Sequence, residues 1–392
     1  VNKPAASQVP SVLYNRDRFH RMDTIHDFPR DVGIDCRISF VTQLAATPVL
    51  IVAYRNPNDI VACLMALGHE LAIPLIEIFV CENGGPQAYA TLVAALTAED
   101  GPCLDCGPEL VAGNPLLITR HVFRLKGGTA APLVHLGEAR ENLGYAGGVN
   151  AWLRPLLAVP GWPAAWILNP DTKPAPDALA ELAAYADRWS KGMVGSRLVP
   201  AEHPDSVHSR GLVWSKGRAI TRSVDLNAPS GLEPDPQEVD RRLDAPAGTS
   251  MYVTRACIER IGLMDERYFL FFEDLEWGIR AKTHFGIGYA HRSVVVHTGG
   301  TTTGSSNNTW QQSPLSIYLE YRNSILFVRS YFVNWLPWTV MLQFARVVFK
   351  APTYGIGNVL TALRGIAAGV RGQSGRPNDL LQNHRTTEVT EQ

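Results

Sequence analysis

Glu273, Asp274 and Glu276 place three carboxylates within four positions, among Phe269, Phe271, Phe272 and Trp277. Carboxylates held against aromatic surface lose water, which disfavours their charged form and makes them stronger bases once ionised. The same residues would also serve as the acidic first turn of a helix. His297 closes the apolar run 294–296, where an imidazole at a strand tip could reach a metal, or simply be a hydrogen-bonded structural residue. Asn169-Pro170-Asp171 follows the apolar run 165–168. A carboxylate in that place suits Mg²⁺ or Mn²⁺, which prefer oxygen ligands and share their shell with substrate phosphates; helix capping by Asp171 is the competing role. In ENLGYAGGVN, residues 141–150, three glycines and two asparagines precede the helical pattern of 151–157. Glycines let backbone N–H groups approach a phosphate or sugar, although a plain strand-to-helix turn uses them too. The spacing of Gly144, Gly147 and Gly148 does not match the dinucleotide fingerprint. Ala53-Tyr54-Arg55 and Glu82-Asn83 end two further apolar runs. There Tyr54 could pack on a base and Glu82 could accept a proton from a ring N–H, or both could merely terminate strands.

The elements that must position these groups read as an α/β alternation. The run 47–54 suits a strand buried on both faces and stopped by Arg-Asn-Pro-Asn, and 59–71 carries Ile60, Leu64, Leu67 and Leu71 at helical spacing. A second buried strand over 75–80 completes a βαβ unit, whose ligands bind outside the carboxyl ends of the strands. A Gly-, Pro- and Cys-rich stretch over 101–115 separates it from the next pieces, and Cys103 and Cys106 are expected in a loop. A helix over 176–189 starts near Asp177, and a strand follows at 193–198. The segment 200–246, with its prolines and Arg210, Lys216, Arg218 and Arg222, reads as a long loop of the kind that is functional or mobile. The chain is dense again over 248–297, and beyond 313 it becomes aromatic-rich helix punctuated by arginines.

The 392 residues are 46% hydrophobic and 19% charged, enough for one large or two modest domains with a sizeable core. Thirty-six basic against 37 acidic side chains offer no global reason to bind nucleic acid. Six cysteines are too sparse for a disulfide framework, and Cys103 and Cys106 lack the second pair that a zinc site needs. The first residues lack a signal-peptide pattern, and the most apolar stretch, 325–349, is interrupted by Arg329, Asn334, Pro337, Gln343 and Arg346. A cytosolic chain, or one lying on a membrane surface, is expected. Between Glu320 and Arg376 seven basic residues face that single acidic one, a local balance of +6, with Phe332, Trp335, Trp338, Phe344 and Phe349 among them. This suits a helix in an anionic membrane interface, or equally a helix packed on the main domain with its arginines in water.

In their order along the chain these motifs resemble family 2 glycosyltransferases of the GT-A fold, and most nearly the bacterial rhamnosyltransferase-type enzymes of cell-wall and polysaccharide assembly. The resemblance rests on Asn142-Leu143-Gly144-Tyr145-Ala146, on Asn169-Pro170-Asp171 and on the block 248–282, spans 48–300, and continues through Tyr321-Arg322-Asn323 and 365–375. It implies a Rossmann-like α/β fold with a mixed, mostly parallel sheet and C-terminal helices. The implied division is an extension over 1–46, a catalytic domain over 47–300, a helical and membrane-surface region over 301–376, and a polar tail over 377–392. The implied activity is inverting transfer of a sugar from a UDP- or dTDP-sugar to a hydroxyl of a glycan or lipid-linked glycan, at the inner face of the cytoplasmic membrane. Ala53, Tyr54 and Glu82 would hold the nucleoside. Asn142, Gly144, Gly147, Asn150 and Asn169 would line the nucleotide sugar. Asp171 and His297 would bind Mg²⁺ or Mn²⁺, and Asp274, beside Glu273, would be the base. Trp277 and 200–246 would meet the acceptor. Two positions depart from the family pattern: Asn169 replaces a metal-motif aspartate, and Glu82 replaces a shorter aspartate. The first of these, with the basic aromatic tail, supports an alternative: a non-catalytic, nucleotide-binding, membrane-associated module of the same fold.

Overall fold

The computed structural model describes residues 46–69, 75–109, 114–127, 131–299, 312–378 and 380–381. The proposed extension over 1–46 and the tail over 377–392 thus lie almost wholly outside the described residues, as does Leu71. The first strands are the expected apolar runs: β1 (Thr47–Ala53) and β2 (Ile76–Glu82), buried along their whole length and paired in parallel, with α1 (Pro57–Leu67) between them. Then come α2 (Pro86–Thr97), β3 (Cys103–Glu109), β4 (Leu117–Leu125), β5 (Leu133–Ala139), α3 (Gly144–Leu156), β6 (Ala164–Leu168), β7 (Thr172–Pro174), α4 (Ala178–Trp189) and β8 (Met193–Pro200). A small hairpin of β9 (Leu212–Ser215) and β10 (Ile220–Ser223) precedes α5 (Pro236–Arg242), β11 (Ser250–Thr254), α6 (Arg255–Ile261), α7 (Glu273–His284) and β12 (Ile287–His297). The C-terminal helices are α8 (Pro314–Tyr331) and α9 (Leu336–Arg371).

Ten strands form one mixed sheet in the order β3-β4-β5-β2-β1-β6-β11-β8-β12-β7. The pairings run β1, β2, β3, β5, β6, β8 and β12 in one direction and β4, β7 and β11 in the other. Alternate residues of β1 serve the two faces: Leu50 and Val52 pack under α3, α6 and α7, while Val49, Ile51 and Ala53 pack under α1, α2 and α4. A third cluster joins Trp214 of the hairpin, Phe272 and Leu275 beside α7, and Phe327 of α8. A fourth, with Ile317, Tyr321, Val347 and Ile366, closes α8 on α9.

Four local expectations change. Helix α3 begins at Gly144, so the glycines of 141–150 lie inside it instead of ahead of it. A Cβ on Gly148 would stand 2.8 Å from Val52, and one on Gly147 would stand 2.8 Å from the Leu143 Cβ; these glycines permit close packing. Cys103 and Cys106 lie in strand β3. The segment 200–246 is built from the hairpin and α5, which is capped by Asp235 accepting from the Gln237 N–H at 2.9 Å. Trp277 is fully buried and donates to Gly262 O at 2.9 Å, so it packs the core and cannot meet an acceptor.

Candidate active site

The carboxyl ends of β1, β2, β6 and β12 gather the motifs on one edge of the sheet. Ala53 and Glu82 are register partners, and Glu82 Oε1 accepts from the N–H groups of Arg55 (3.2 Å) and Gly84 (2.6 Å). Burial raises the Glu82 carboxyl above its ordinary range, and these two donors pull it back. Tyr54 is half-buried, with the Arg55 guanidinium 5.3 Å from its ring centre. Asn83 Nδ2 donates to Gly144 O at 2.9 Å, tying the tip of β2 to the start of α3. Asn142 Oδ1 accepts from the Gly144 N–H at 3.0 Å. Asn150 is buried, and its amide is engaged by Met264 and Glu266, which fixes α3 against the segment before α7 and turns this side chain away from a ligand.

Where β6 ends, Asp171 Oδ2 lies 3.1 Å from His297 Nε2, and Asp171 O accepts from Thr298 N–H at 3.0 Å. His208 sets its ring edge-on to His297 at 5.3 Å; burial and then its neighbour His297 lower its pKa. Asn169 Oδ1 is buried without a hydrogen-bond partner. Among the described residues no cluster of three His, Cys, Asp or Glu forms a closed metal site. One carboxylate and one imidazole, beside an orphaned amide oxygen, therefore fit a cation that takes its other ligands from substrate oxygens and water, as Mn²⁺ or Mg²⁺ does.

Glu273 and Asp274 open α7 after a turn in which Phe269, Phe271 and Phe272 all adopt left-handed backbone (φ 67°, 66° and 77°). For bulky non-glycine residues each such conformation costs on the order of 1–3 kcal/mol and persists only when surroundings enforce it. The enforcement comes from α8. Asn323 Nδ2 lies 2.9, 2.8 and 2.9 Å from the carbonyls of Tyr268, Leu270 and Phe271, and Arg322 Nη2 donates to Tyr268 O at 3.0 Å. From the other side Tyr145 N–H donates to Phe269 O at 2.7 Å. A Cβ on Gly144 would lie 2.2 Å from that same oxygen, and Gly144 has φ 71°, so only glycine fits there.

The two carboxylates differ in their partners. Asp274 accepts from the N–H groups of Gly248 (3.0 Å) and Leu275 (2.7 Å), whereas Glu273 is buried and its Oε2 has no hydrogen-bond partner. Burial raises both, and the neighbouring Asp274 charge raises Glu273 further, well above the carboxylate range. The backbone donors favour the charge on Asp274, and the unpartnered Glu273 is the carboxyl raised further. Glu276 points elsewhere: its carboxylate is bound by Arg280 at 2.7 Å and by the Tyr331 hydroxyl.

No protein-family model matches the chain. It is 23% identical over 252 residues to the low-salt glycan biosynthesis hexosyltransferase Agl10 of Haloferax volcanii, covering 62% of this chain and 78% of that protein. It is 26% identical over 196 residues to the N-acetylglucosaminyl-diphospho-decaprenol L-rhamnosyltransferase of Mycobacterium tuberculosis, covering 44% of this chain and 61% of the relative. The chain is glycosyltransferase-like. Among solved structures, S. aureus TarS with UDP-GlcNAc aligns with a TM-score of 0.48 at 12% identity, over 86% of this chain and 82% of that one. GalNAc-T7 with UDP, GalNAc and Mn²⁺ aligns with a TM-score of 0.49 at 13% identity, over 88% and 58%. Scores this low give those two likenesses no weight beside the chain's own topology.

Three residues of this glycosyltransferase-like site escape a reading of local pattern. Tyr145 is one: its hydroxyl donates to Gly248 O at 3.0 Å, and burial first, then the neighbouring carboxylates, push it well above its ordinary range. It thus stands within the field of all three carboxylates. Arg322 and Asn323 are the others. The pair belongs to the Tyr321-Arg322-Asn323 motif, but its targets are more than fifty residues away and no local pattern points to them.

Proposed function

We propose that the chain transfers a sugar from a UDP- or dTDP-sugar to a hydroxyl of a glycan or lipid-linked glycan of the cell envelope, inverting the anomeric centre. The observation that carries this reading is the unequal Glu273–Asp274 pair at the sheet edge. Asp274, charged and oriented by two backbone donors, accepts the proton of the acceptor hydroxyl as that oxygen attacks the anomeric carbon and the nucleoside diphosphate departs. Glu273 stays protonated beside it. Ala53, Tyr54 and Glu82 receive the base, with Asn142, Gly144 and Asn169 around the donor, while Gly147 and Asn150 contribute by fixing α3. Asp171 and His297 hold Mg²⁺ or Mn²⁺, which when bound offsets charge on the diphosphate. The mycobacterial relative makes a rhamnosyl donor the first to try. We assign catalysis to 47–300, supported by the helices of 301–376, which also contact the membrane from its cytoplasmic side.

The purified chain, given a panel of UDP- and dTDP-sugars with Mg²⁺ or Mn²⁺, should release nucleoside diphosphate. Asp274→Asn should lower transfer about 10³-fold with folding intact. Unchanged transfer by that variant would remove Asp274 from the mechanism. The absence of binding by any donor at millimolar concentration would remove the transferase reading altogether. The rival reading, a non-catalytic module, draws on Asn169 and predicts nucleotide binding with neither turnover nor metal coupling.

A further inference from the structure

Helix α9 carries an unusual surface. Its buried side, Thr339, Gln343 and Val347, follows one helical stripe onto α8 and the hairpin. The opposite stripe faces water with Trp338, Met341, Phe344, Val348, Phe349 and Ile356, of which Phe349 is 86% and Ile356 82% exposed. No charged residue is fully exposed between Trp335 and Leu360, and no Asp or Glu occurs anywhere between Tyr321 and Arg376. Of the arginines expected among these helices, Arg346 of α9 is turned inward, donating to Ala219 O at 3.0 Å, and Arg322 of α8 is buried under Tyr268, whereas Arg364 of α9 is exposed. A helix whose exposed side is aromatic and aliphatic for this length is costly in water.

The cations lie beside the stripe instead. Trp338 Nε1 donates to Gly217 O at 3.0 Å, which fastens the β9–β10 turn to the start of α9. That turn holds Lys216 and Arg218 exposed, with Arg222 exposed on β10; Lys216 Nζ stands 4.3 Å from the centre of the Phe332 ring. At the far end Arg371 is exposed. Gly355, at φ 69° and three residues after Pro352, interrupts the helical backbone next to Ile356, and Phe349 and Ile356 are the most exposed apolar side chains of this face. No described helix is long and apolar enough to cross a membrane, so the stripe suits the plane of an interface.

We infer that the exposed face of α9, with Phe349 and Ile356 inserted and Lys216, Arg218 and Arg222 on the headgroups, docks this chain on an anionic lipid bilayer. This deepens the membrane contact in the proposed function and rests on that part of it, not on the transfer chemistry. An uncharged stripe with exposed cations at both ends suits a negatively charged surface with an apolar interior.

The test is co-sedimentation of the full chain with phosphatidylglycerol-containing vesicles and with pure phosphatidylcholine vesicles. Binding to the anionic vesicles should weaken as salt is raised. Phe349→Glu and Ile356→Glu should each lower it about ten-fold at unchanged Tm. Lys216→Glu with Arg218→Glu should remove the preference for anionic lipid. Nucleotide release from a donor sugar should persist in all of these variants, which separates a failure of docking from a failure of the transferase reading. The inference is overturned if the chain stays in the supernatant, if the glutamate variants bind as well as the parent, if neutral vesicles serve equally, or if light scattering shows that the same face pairs two copies instead.

Discussion

Two acidic clusters share one edge of the sheet and are built on opposite plans. Asp171 sits in the short turn between β6 and β7, faces His297 at 3.1 Å, and its carbonyl accepts from the Thr298 N–H just beyond β12. Glu273 and Asp274 follow three left-handed phenylalanines, and the turn that presents them is held by side chains of α8 and the N–H of Tyr145. The first plan suits holding a ligand, since both partners are in place and a cation need only come between them. The second suits reaction, because a carboxylate kept partly desolvated and fixed in direction needs little rearrangement when a proton arrives. On the proposed function the sheet supplies the binding position, while reactivity draws on constraint brought from outside the sheet.

If that division is right, the largest effect of a change outside both clusters should come from Asn323→Ala. It removes the side-chain donor from the Leu270 and Phe271 carbonyls and one of the donors to Tyr268 O, which should cost about 3 kcal/mol of stability and lower kcat about 10²-fold at unchanged donor KM. A loss of stability without that split between kcat and KM would make Asn323 merely structural. Asp171→Ala should act oppositely: Tm stays nearly level, while calorimetry shows nucleoside diphosphate binding in Mn²⁺ weakened by about ten-fold and binding without metal unchanged. Equal weakening in both conditions would remove the metal from the first cluster.

The smallest effect concerns Glu273 and is set by pH. Its carboxyl is raised in the folded chain above the ordinary 4.5, so the folded state binds the extra proton. Stability from this group is therefore present at low pH and falls as pH rises through the raised value. Glu273→Gln should match the parent at pH about 4 and exceed its Tm by roughly 3 °C at pH about 8. A variant less stable at the higher pH would mean that Glu273 is charged in the folded protein.

The contrast also explains what the amino-acid pattern revealed. Strand tips were legible because continuous apolar runs stop abruptly at polar residues, as at Tyr54, Glu82, Asn169 and His297. The start of α3 was not, since glycine ordinarily marks a break, and only the nearness of Val52 and Leu143 shows why Gly148 and Gly147 sit within a helix. Trp277 is expected to meet the acceptor, yet its place on α7 turns it into the core. The left-handed phenylalanines carry no local signal, because nothing in Phe favours that backbone and its cause lies on another helix.

The clamp from Asn323 to the turn at 268–271 has a practical consequence for handling the chain. A fragment ending where β12 ends would keep every carboxylate and glycine of the site, yet release the backbone that aims Asp274. Such a piece should still bind nucleotide through the strand tips but turn over poorly, and adding α8 as a separate peptide would be the way to restore it.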